Sequence, residues 1–333
     1  MRDNCHCQFL LLPRCRHCYH PSHQPEEGEL QTERAVEFLE ELAAEGFLLL
    51  LLTGGEPFTR NDIWDLLEAA SLKEFAFRVM TNGTGLERED IERLAELSPL
   101  SVDLSIYGQR RVHDDVTRVP GSFRASCRTG RLLTQSGVRV TVKMPLMRNN
   151  VGEYRAVKEV ADSWGADLVT DAGIFCRLDG DTAPLEMQAS EDQLIDFMVR
   201  RAQESSPYAA ASNVHDRPAN SPMCSAGRSL YVSSTGKVYP CAVWREELGD
   251  LSTQALAEVL GSAAVKRVRE LTVSDLTECG SCRLARWCVR CPGLAWLETG
   301  DELGKSPTSC RLAALGRETQ QRAGSGPGSE SYL

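Results

Sequence analysis

Phe47-Leu48-Leu49-Leu50-Leu51-Leu52-Thr53-Gly54-Gly55-Glu56-Pro57 decides the fold class. Six unbroken apolar residues mark a strand buried on both faces, as strands of parallel sheets are. Two glycines, an acid and a proline then stop it. Glycine lets the backbone approach a ligand closely, although a plain strand-to-helix turn uses the same residues. Working outward, the alternation repeats. Residues 28–47 are amphipathic, with Ala35, Phe38, Leu39 and Leu42 on one face. Asn61 is a candidate N-cap for a helix over 63–71. Strands are predicted at 75–80, 100–106, 138–144 and 167–171, with helices at 87–97, 122–136, 151–164 and 191–203. Strands alternating with helices mean βαβ units on a parallel sheet. At least five units predict an α/β chain with a full or partial barrel, its ligands at the carboxyl ends of the strands.

The chain has 333 residues, enough for two domains at roughly 100–200 residues each. Its net charge of −10 disfavours nucleic acid as a partner of the bulk surface. No apolar run nears the ~18 residues of a membrane span. The 9–12 run is too short for a signal-peptide core, so the expected location is cytoplasmic, with no membrane partner. Thirteen cysteines, an odd count without an export signal, argue against a disulfide framework. They cluster instead. Cys5, Cys7, Cys15 and Cys18 stand near the start. Cys224, Cys241, Cys279, Cys282, Cys288, Cys291 and Cys310 stand near the end. Only Cys127 and Cys176 stand alone, Cys127 as packing in a helix and Cys176 in a solvated charged loop. The Ser-, Pro-, Ala- and Asn-rich stretch 205–222 reads as a linker between a domain over 1–204 and a smaller one over 223–316. The second opens with a hairpin signal, 229–233 and 237–239 around a turn at 234–236. Residues 317–333 read as a disordered tail.

Cys15-Arg16-His17-Cys18-Tyr19 can point two thiolates at one metal centre. Alone it fits zinc, a thioredoxin-type pair or an iron–sulfur cluster. His17, His20 and His23 flank it as hydrogen-bonding neighbours. Thr53-Gly54-Gly55-Glu56-Pro57, Thr81-Asn82-Gly83-Thr84 and Ser105-Ile106-Tyr107-Gly108 each follow a predicted strand. They put three polar or glycine-rich strand ends on one rim. Lys143 and Arg148, ending the 138–144 strand, are candidate partners for a carboxylate.

Together these motifs resemble those of radical S-adenosylmethionine (SAM) enzymes, over about residues 9–200. The resemblance implies a partial (β/α)6 TIM-like barrel in which three cysteines hold a 4Fe–4S cluster. One iron stays open, to be chelated by SAM. It also implies reductive cleavage of SAM to a 5′-deoxyadenosyl radical that takes hydrogen from a substrate. Carried over, Cys15 and Cys18 are two ligands. Gly54, Gly55, Glu56 and Pro57 form the turn lining the methionine amino group, and Asn82 and Ser105 contact the nucleotide. The sequence departs from the pattern at Leu11, where the family has its first cysteine. Either Cys7 or Cys5 supplies the third sulfur, or the site is impaired.

The C-terminal cysteines resemble the SPASM extension of peptide-modifying members, with two residues rather than three between Cys288 and Cys291. Five residues separate the two CxxC pairs, whereas zinc ribbons need about 15–20, so auxiliary 4Fe–4S clusters are expected. By the resemblance Cys279, Cys282, Cys288 and Cys310 form one set, and Cys224, Cys241 and Cys291 the other. A peptide or protein substrate, a separate leader-peptide-binding protein and a flavodoxin or ferredoxin donor follow as expected partners. The alternative is a non-catalytic iron–sulfur or zinc protein, an electron carrier or degenerate partner, which Leu11 favours.

Overall fold

The computed structural model describes residues 4–9, 15–20, 27–204, 218–276 and 278–324. Six strands form the sheet of the first region: β1 (Asn4–Phe9), β2 (Leu49–Gly54), β3 (Ala76–Thr81), β4 (Ser101–Ser105), β5 (Val140–Pro145) and β6 (Asp167–Asp171). They pair in parallel in the order β6-β5-β4-β3-β2-β1. Sequential order without a reversal is that of a barrel wall, whereas a doubly wound sheet reverses at a switch point. The sheet does not close, so the barrel is partial.

Helices α1 (Thr32–Ala44), α2 (Ile63–Leu72), α3 (Arg88–Glu96), α4 (Arg110–Thr117), α5 (Ser122–Gln135) and α6 (Tyr154–Trp164) connect the strands. Alternate strand residues, among them Leu50, Leu52, Phe77, Val79, Leu104 and Val142, are fully buried. They pack on helix residues such as Phe38, Leu42, Leu66, Leu94 and Leu133. The opposite face of the sheet is less covered at its flanks, where Leu49 is 37% and Val169 44% exposed, while Ser101, Asp103 and Thr141 between them are buried. Parallel sheets are normally covered on both faces. A face without a covering helix layer is where a ligand can lie against such a sheet.

The C-terminal region continues the same sheet. After α7 (Glu191–Glu204), the hairpin forms as β7 (Leu230–Val232) and β8 (Lys237–Tyr239), followed by β9 (Gly249–Asp250). β7 pairs in parallel with β1, Cys7 opposite Val232, which covers an edge that would otherwise be exposed. Arg34 of α1 donates to the Leu251 carbonyl (2.9 Å), and Leu30 N–H to the Ser234 carbonyl (2.8 Å). Helices α8 (Leu256–Gly261), α9 (Ala263–Glu270), α10 (Pro292–Thr299) and α11 (Pro307–Gly324) complete the domain.

Several expectations change. The first strand, Asn4–Phe9, was not foreseen, and residues 10–14 lie outside the described residues. The N-cap of α2 is Asp62 instead of Asn61, and its carboxylate is taken by Thr32 and Arg60. Helix α4 was not foreseen. Residues 317–324 belong to α11, where Gln320 accepts from Trp287 Nε1 (2.7 Å) and Thr319 reaches the Met198 sulfur (3.6 Å). A tail starting at 317 is therefore excluded, and 325–333 lie outside the described residues. So does 205–217 of the expected linker, as does His23. No described helix is long and apolar enough to cross a membrane.

Candidate active site

At the end of β2, Glu56 is buried, and its carboxylate holds the next strand end. It accepts from the Thr81 hydroxyl (2.7 Å), the Asn82 N–H (2.7 Å) and the Phe58 N–H (3.3 Å). Burial outweighs these donors and pushes the Glu56 carboxyl up to about 7. The amide oxygen of Asn82 is likewise engaged, accepting from the Thr84 N–H (2.8 Å) and hydroxyl (2.6 Å). Gly83 sits at φ +71, where a Cβ would stand 2.6 Å from Leu104, so glycine is required at that turn. The rim was visible in the sequence. The Glu56–Thr81 bond was missed, because only the register of β2 against β3 brings the two together.

The CxxC segment turns back on itself, Cys18 N–H donating to the Cys15 carbonyl (3.1 Å). Cys15 is buried and packs in one cluster with Tyr107, which follows β4. Tyr107 therefore links the end of β4 to the cysteine loop. His113 of α4 holds it there, its Nδ1 accepting from the Tyr107 N–H (3.1 Å). The His17 ring packs edge-on against Tyr107 at 4.9 Å. Burial lowers both histidines to about 4, so both are neutral at pH 7. The Cys15 thiol is pushed up to about 12, by burial first and then by Cys18. Two crowded, buried thiols with raised pKa values are a donor pair that a bound cation would relieve. Tyr107 and His113 escaped the sequence reasoning. The only signal was an aromatic residue two positions beyond the strand-end serine.

The loop after β6 closes onto this segment. Leu178 N–H donates to the Tyr19 carbonyl (2.9 Å), and Phe175 lies against the Tyr19 ring at 5.4 Å. Half-buried Cys176 thus stands in a packed loop, against the expectation of a solvated one. Cys127 packs against the main core. On the inner face, buried Asp103 takes two bonds from Arg78 (2.6 and 2.7 Å), and Lys143 lies 3.3 Å away. Arg78 and Lys143 thus flank Asp103, while Asp167 and Asp171 of β6 lie on the same face as Lys143. Arg148 is exposed.

Cys279, Cys282, Cys288 and Cys310 line one cavity. Burial, then the neighbouring Cys310, Cys279 and Cys282, push the Cys288 thiol up to about 11. Burial first, and Cys291 and Cys224 among the lesser causes, push the Cys241 thiol up to about 11. Among the described side chains no three of His, Cys, Asp or Glu stand as a ready single-ion site, and the cysteines from Cys15 onward are free thiols. Four thiols spread around a cavity suit a cluster better than the tight tetrahedron of zinc. Tyr19 joins the two regions: burial raises its hydroxyl to about 12, and the sulfurs of both Cys18 and Cys241 act on it. Cys5 and Cys7 lie within β1, paired with Leu50 and Leu52.

Residues 13–160 match the family model of the Radical SAM superfamily, and residues 224–292 match SPASM, an iron–sulfur cluster-binding domain. The chain thus carries a radical SAM domain and a SPASM domain. Among its relatives is the AdoMet-dependent heme synthase of Methanosarcina barkeri. It is 25% identical over 304 residues, 84% of this chain and 87% of the relative. The sporulation killing factor maturation protein of Bacillus subtilis is 26% identical over 257 residues, 75% of this chain and 62% of the relative. Streptococcus suis SuiB, solved with its precursor peptide SuiA, shares the fold. Its TM-score is 0.70 at 14% identity, over 93% of this chain and 76% of that one. The cofactors of these two domains are a 4Fe–4S cluster with SAM in the barrel and auxiliary iron–sulfur clusters in the SPASM domain. The thiol sets above have the chemistry to hold them.

Proposed function

We propose that the protein uses SAM radical chemistry to abstract hydrogen from a peptide or protein side chain lying along the inner face of the barrel. That face, less covered than the helix-packed other side of the sheet, is the observation that carries the proposal. In it Cys15 and Cys18 hold the barrel cluster, with Cys7 or Cys5 as the candidate third ligand. The turn Gly54-Gly55-Glu56-Pro57 lines the methionine end of SAM, while Asn82 and Ser105 lie beside the nucleotide. Cys279, Cys282, Cys288 and Cys310 hold one auxiliary cluster, and Cys224, Cys241 and Cys291 another. When bound, the cluster and SAM supply a radical able to abstract hydrogen. The chain's own part is to fix geometry. Glu56 ties β2 to β3, Tyr107 ties the cysteine loop to β4, and neutral His113 orients Tyr107. The inner-face cations Arg78 and Lys143 suit an acidic group on the substrate. A flavodoxin or ferredoxin would deliver the electron, a separate protein would present the peptide leader, and the cytoplasm would be the site of action.

A second substrate class has specific support. The heme synthase relative matches nearly end to end, and a tetrapyrrole bearing carboxylates would also suit Arg78 and Lys143. Deuterium transfer separates the two. Reduced, reconstituted protein with SAM is offered deuterated peptides from the source cell or an iron porphyrin deuterated in its propionates. Deuterium entering 5′-deoxyadenosine from peptides is expected. Transfer from the porphyrin alone would replace the peptide reading. No 5′-deoxyadenosine above a Cys15→Ala control, even for a Leu11→Cys variant, would leave the non-catalytic alternative.

A further inference from the structure

Arg290 lies between Cys288 and Cys291, one cysteine from each set. It is only 6% exposed and lines the cavity of Cys279, Cys282, Cys288 and Cys310. One guanidinium nitrogen, Nη2, donates to the carbonyls of Glu302 (2.7 Å) and Gly304 (2.5 Å). The other two, Nε and Nη1, are buried with no hydrogen-bond partner. The two remaining charged residues of the lining, Glu278 and Lys305, pair with each other at the exposed mouth and leave Arg290 uncompensated. A buried cation with idle N–H groups is costly unless an anion receives them. The cavity wall beside it carries four sulfurs.

We propose that Arg290 donates its Nε–H and Nη1–H to the sulfurs of the anionic cluster held by these four cysteines, and so sets that cluster's reduction potential. The proposal rests on the assignment of those four residues as ligands. Four thiolates give an iron–sulfur centre a net negative charge, which grows on reduction. A buried guanidinium stabilises the reduced form more than the oxidised one and raises the potential. Charge-assisted N–H···S bonds act in the same direction. Arg290 is thus a positioning and tuning residue, with no contact to reacting atoms required.

The rival is a purely structural role, the Nη2 clamp on the 301–306 loop. Iron content and redox titration followed by electron paramagnetic resonance separate the two. A Cys279→Ala variant identifies the signal of this cluster by removing it. At the wild-type midpoint, Arg290→Met should lower the reduced-to-oxidised ratio of that cluster by roughly tenfold, as lost bonds to a charged group predict. Arg290→Lys, which keeps the charge, should fall in between. An unchanged ratio with full iron content overturns the proposal, whatever the melting temperature does. Should the variants lose the cluster, the unmutated protein still decides. With guanidino-¹⁵N-arginine, its reduced cluster should show a ¹⁵N hyperfine coupling that Cys279→Ala abolishes. No such coupling refutes the role of Arg290 alone. If Cys279→Ala removes no iron, the ligand assignment fails and the proposal with it.

Discussion

Glu56 is a buried carboxyl facing three donors, and none of them is a cation. Its folded pKa of about 7 lies above the ordinary 4.5, so the native state holds a proton that the unfolded chain has released. The stability linked to that proton is complete below about pH 4.5 and is lost as pH rises through about 7, on the order of 3 kcal/mol in all. His17 and His113 oppose it. Their folded values near 4 make stability rise with pH between about 4 and 6.5. The diagnostic quantity is therefore the difference between the unmutated protein and Glu56→Gln. We expect the stability of Glu56→Gln relative to the unmutated protein to improve steadily from pH 4.5 to 7.5, measured by thermal unfolding at each pH. A flat difference would mean that the Thr81, Asn82 and Phe58 donors keep Glu56 ionised despite its burial.

Gly130 in α5 shows how packing overrides propensity at the scale of an element. Alanine is ordinarily better than glycine inside a helix by about 1 kcal/mol. Here a Cβ would overlap the Trp164 ring and stand 2.9 Å from Leu104 of β4. Overpacking of this kind costs about 1–3 kcal/mol, so Gly130→Ala should lower the urea midpoint by the equivalent of about 1 kcal/mol, with m unchanged. A raised midpoint would show that Trp164 swings clear. The same scale explains what was legible in advance. β2 announced itself as an apolar run and β3 to β6 as strands of mixed polarity, because the face that packs on the helices must be apolar whatever its neighbours are. Helix α4 did not, since the residues it buries are His113, Val116 and Thr117, a set without an apolar stripe. The last turns of α11 read as tail because their partners, Trp287 and Met198, are distant in sequence. The CxxC pairs and the glycine turns were visible as local spacings. Thr81 and Tyr107 stood within the quoted strand ends, but the bonds of Thr81 to Glu56 and of Tyr107 to His113 of α4 come from tertiary packing, which no local pattern encodes.

One sheet running from β6 to β9 constrains the whole molecule, and it bears on the third thiolate of the barrel. β1 lies between β2 and β7, with Cys7 opposite Leu52 on one side and Val232 on the other. Phe9 pairs with Gly54, where the rim begins. Cys7 is two residues short of that level, roughly 7 Å at about 3.3 Å per residue. Bringing it to the mouth would break ladder bonds on both flanks, at about 1 kcal/mol each. The closure entropy of the segment between Cys7 and Cys15 is small by comparison, about 0.6 kcal/mol per doubling of length. Geometry thus outweighs loop entropy and favours a barrel site with two strong ligands, Cys15 and Cys18. Such a cluster should be labile and SAM cleavage slow. The comparison is 5′-deoxyadenosine formed under reducing conditions by the unmutated chain, Cys7→Ala and Leu11→Cys, each normalised to iron content. We expect low and similar yields from the first two. Leu11→Cys, which puts a sulfur two residues beyond the end of β1, should raise the yield by about an order of magnitude. Vigorous cleavage by the unmutated chain that disappears in Cys7→Ala would mean that β1 gives up its end to the cluster, with Cys7 as the third ligand.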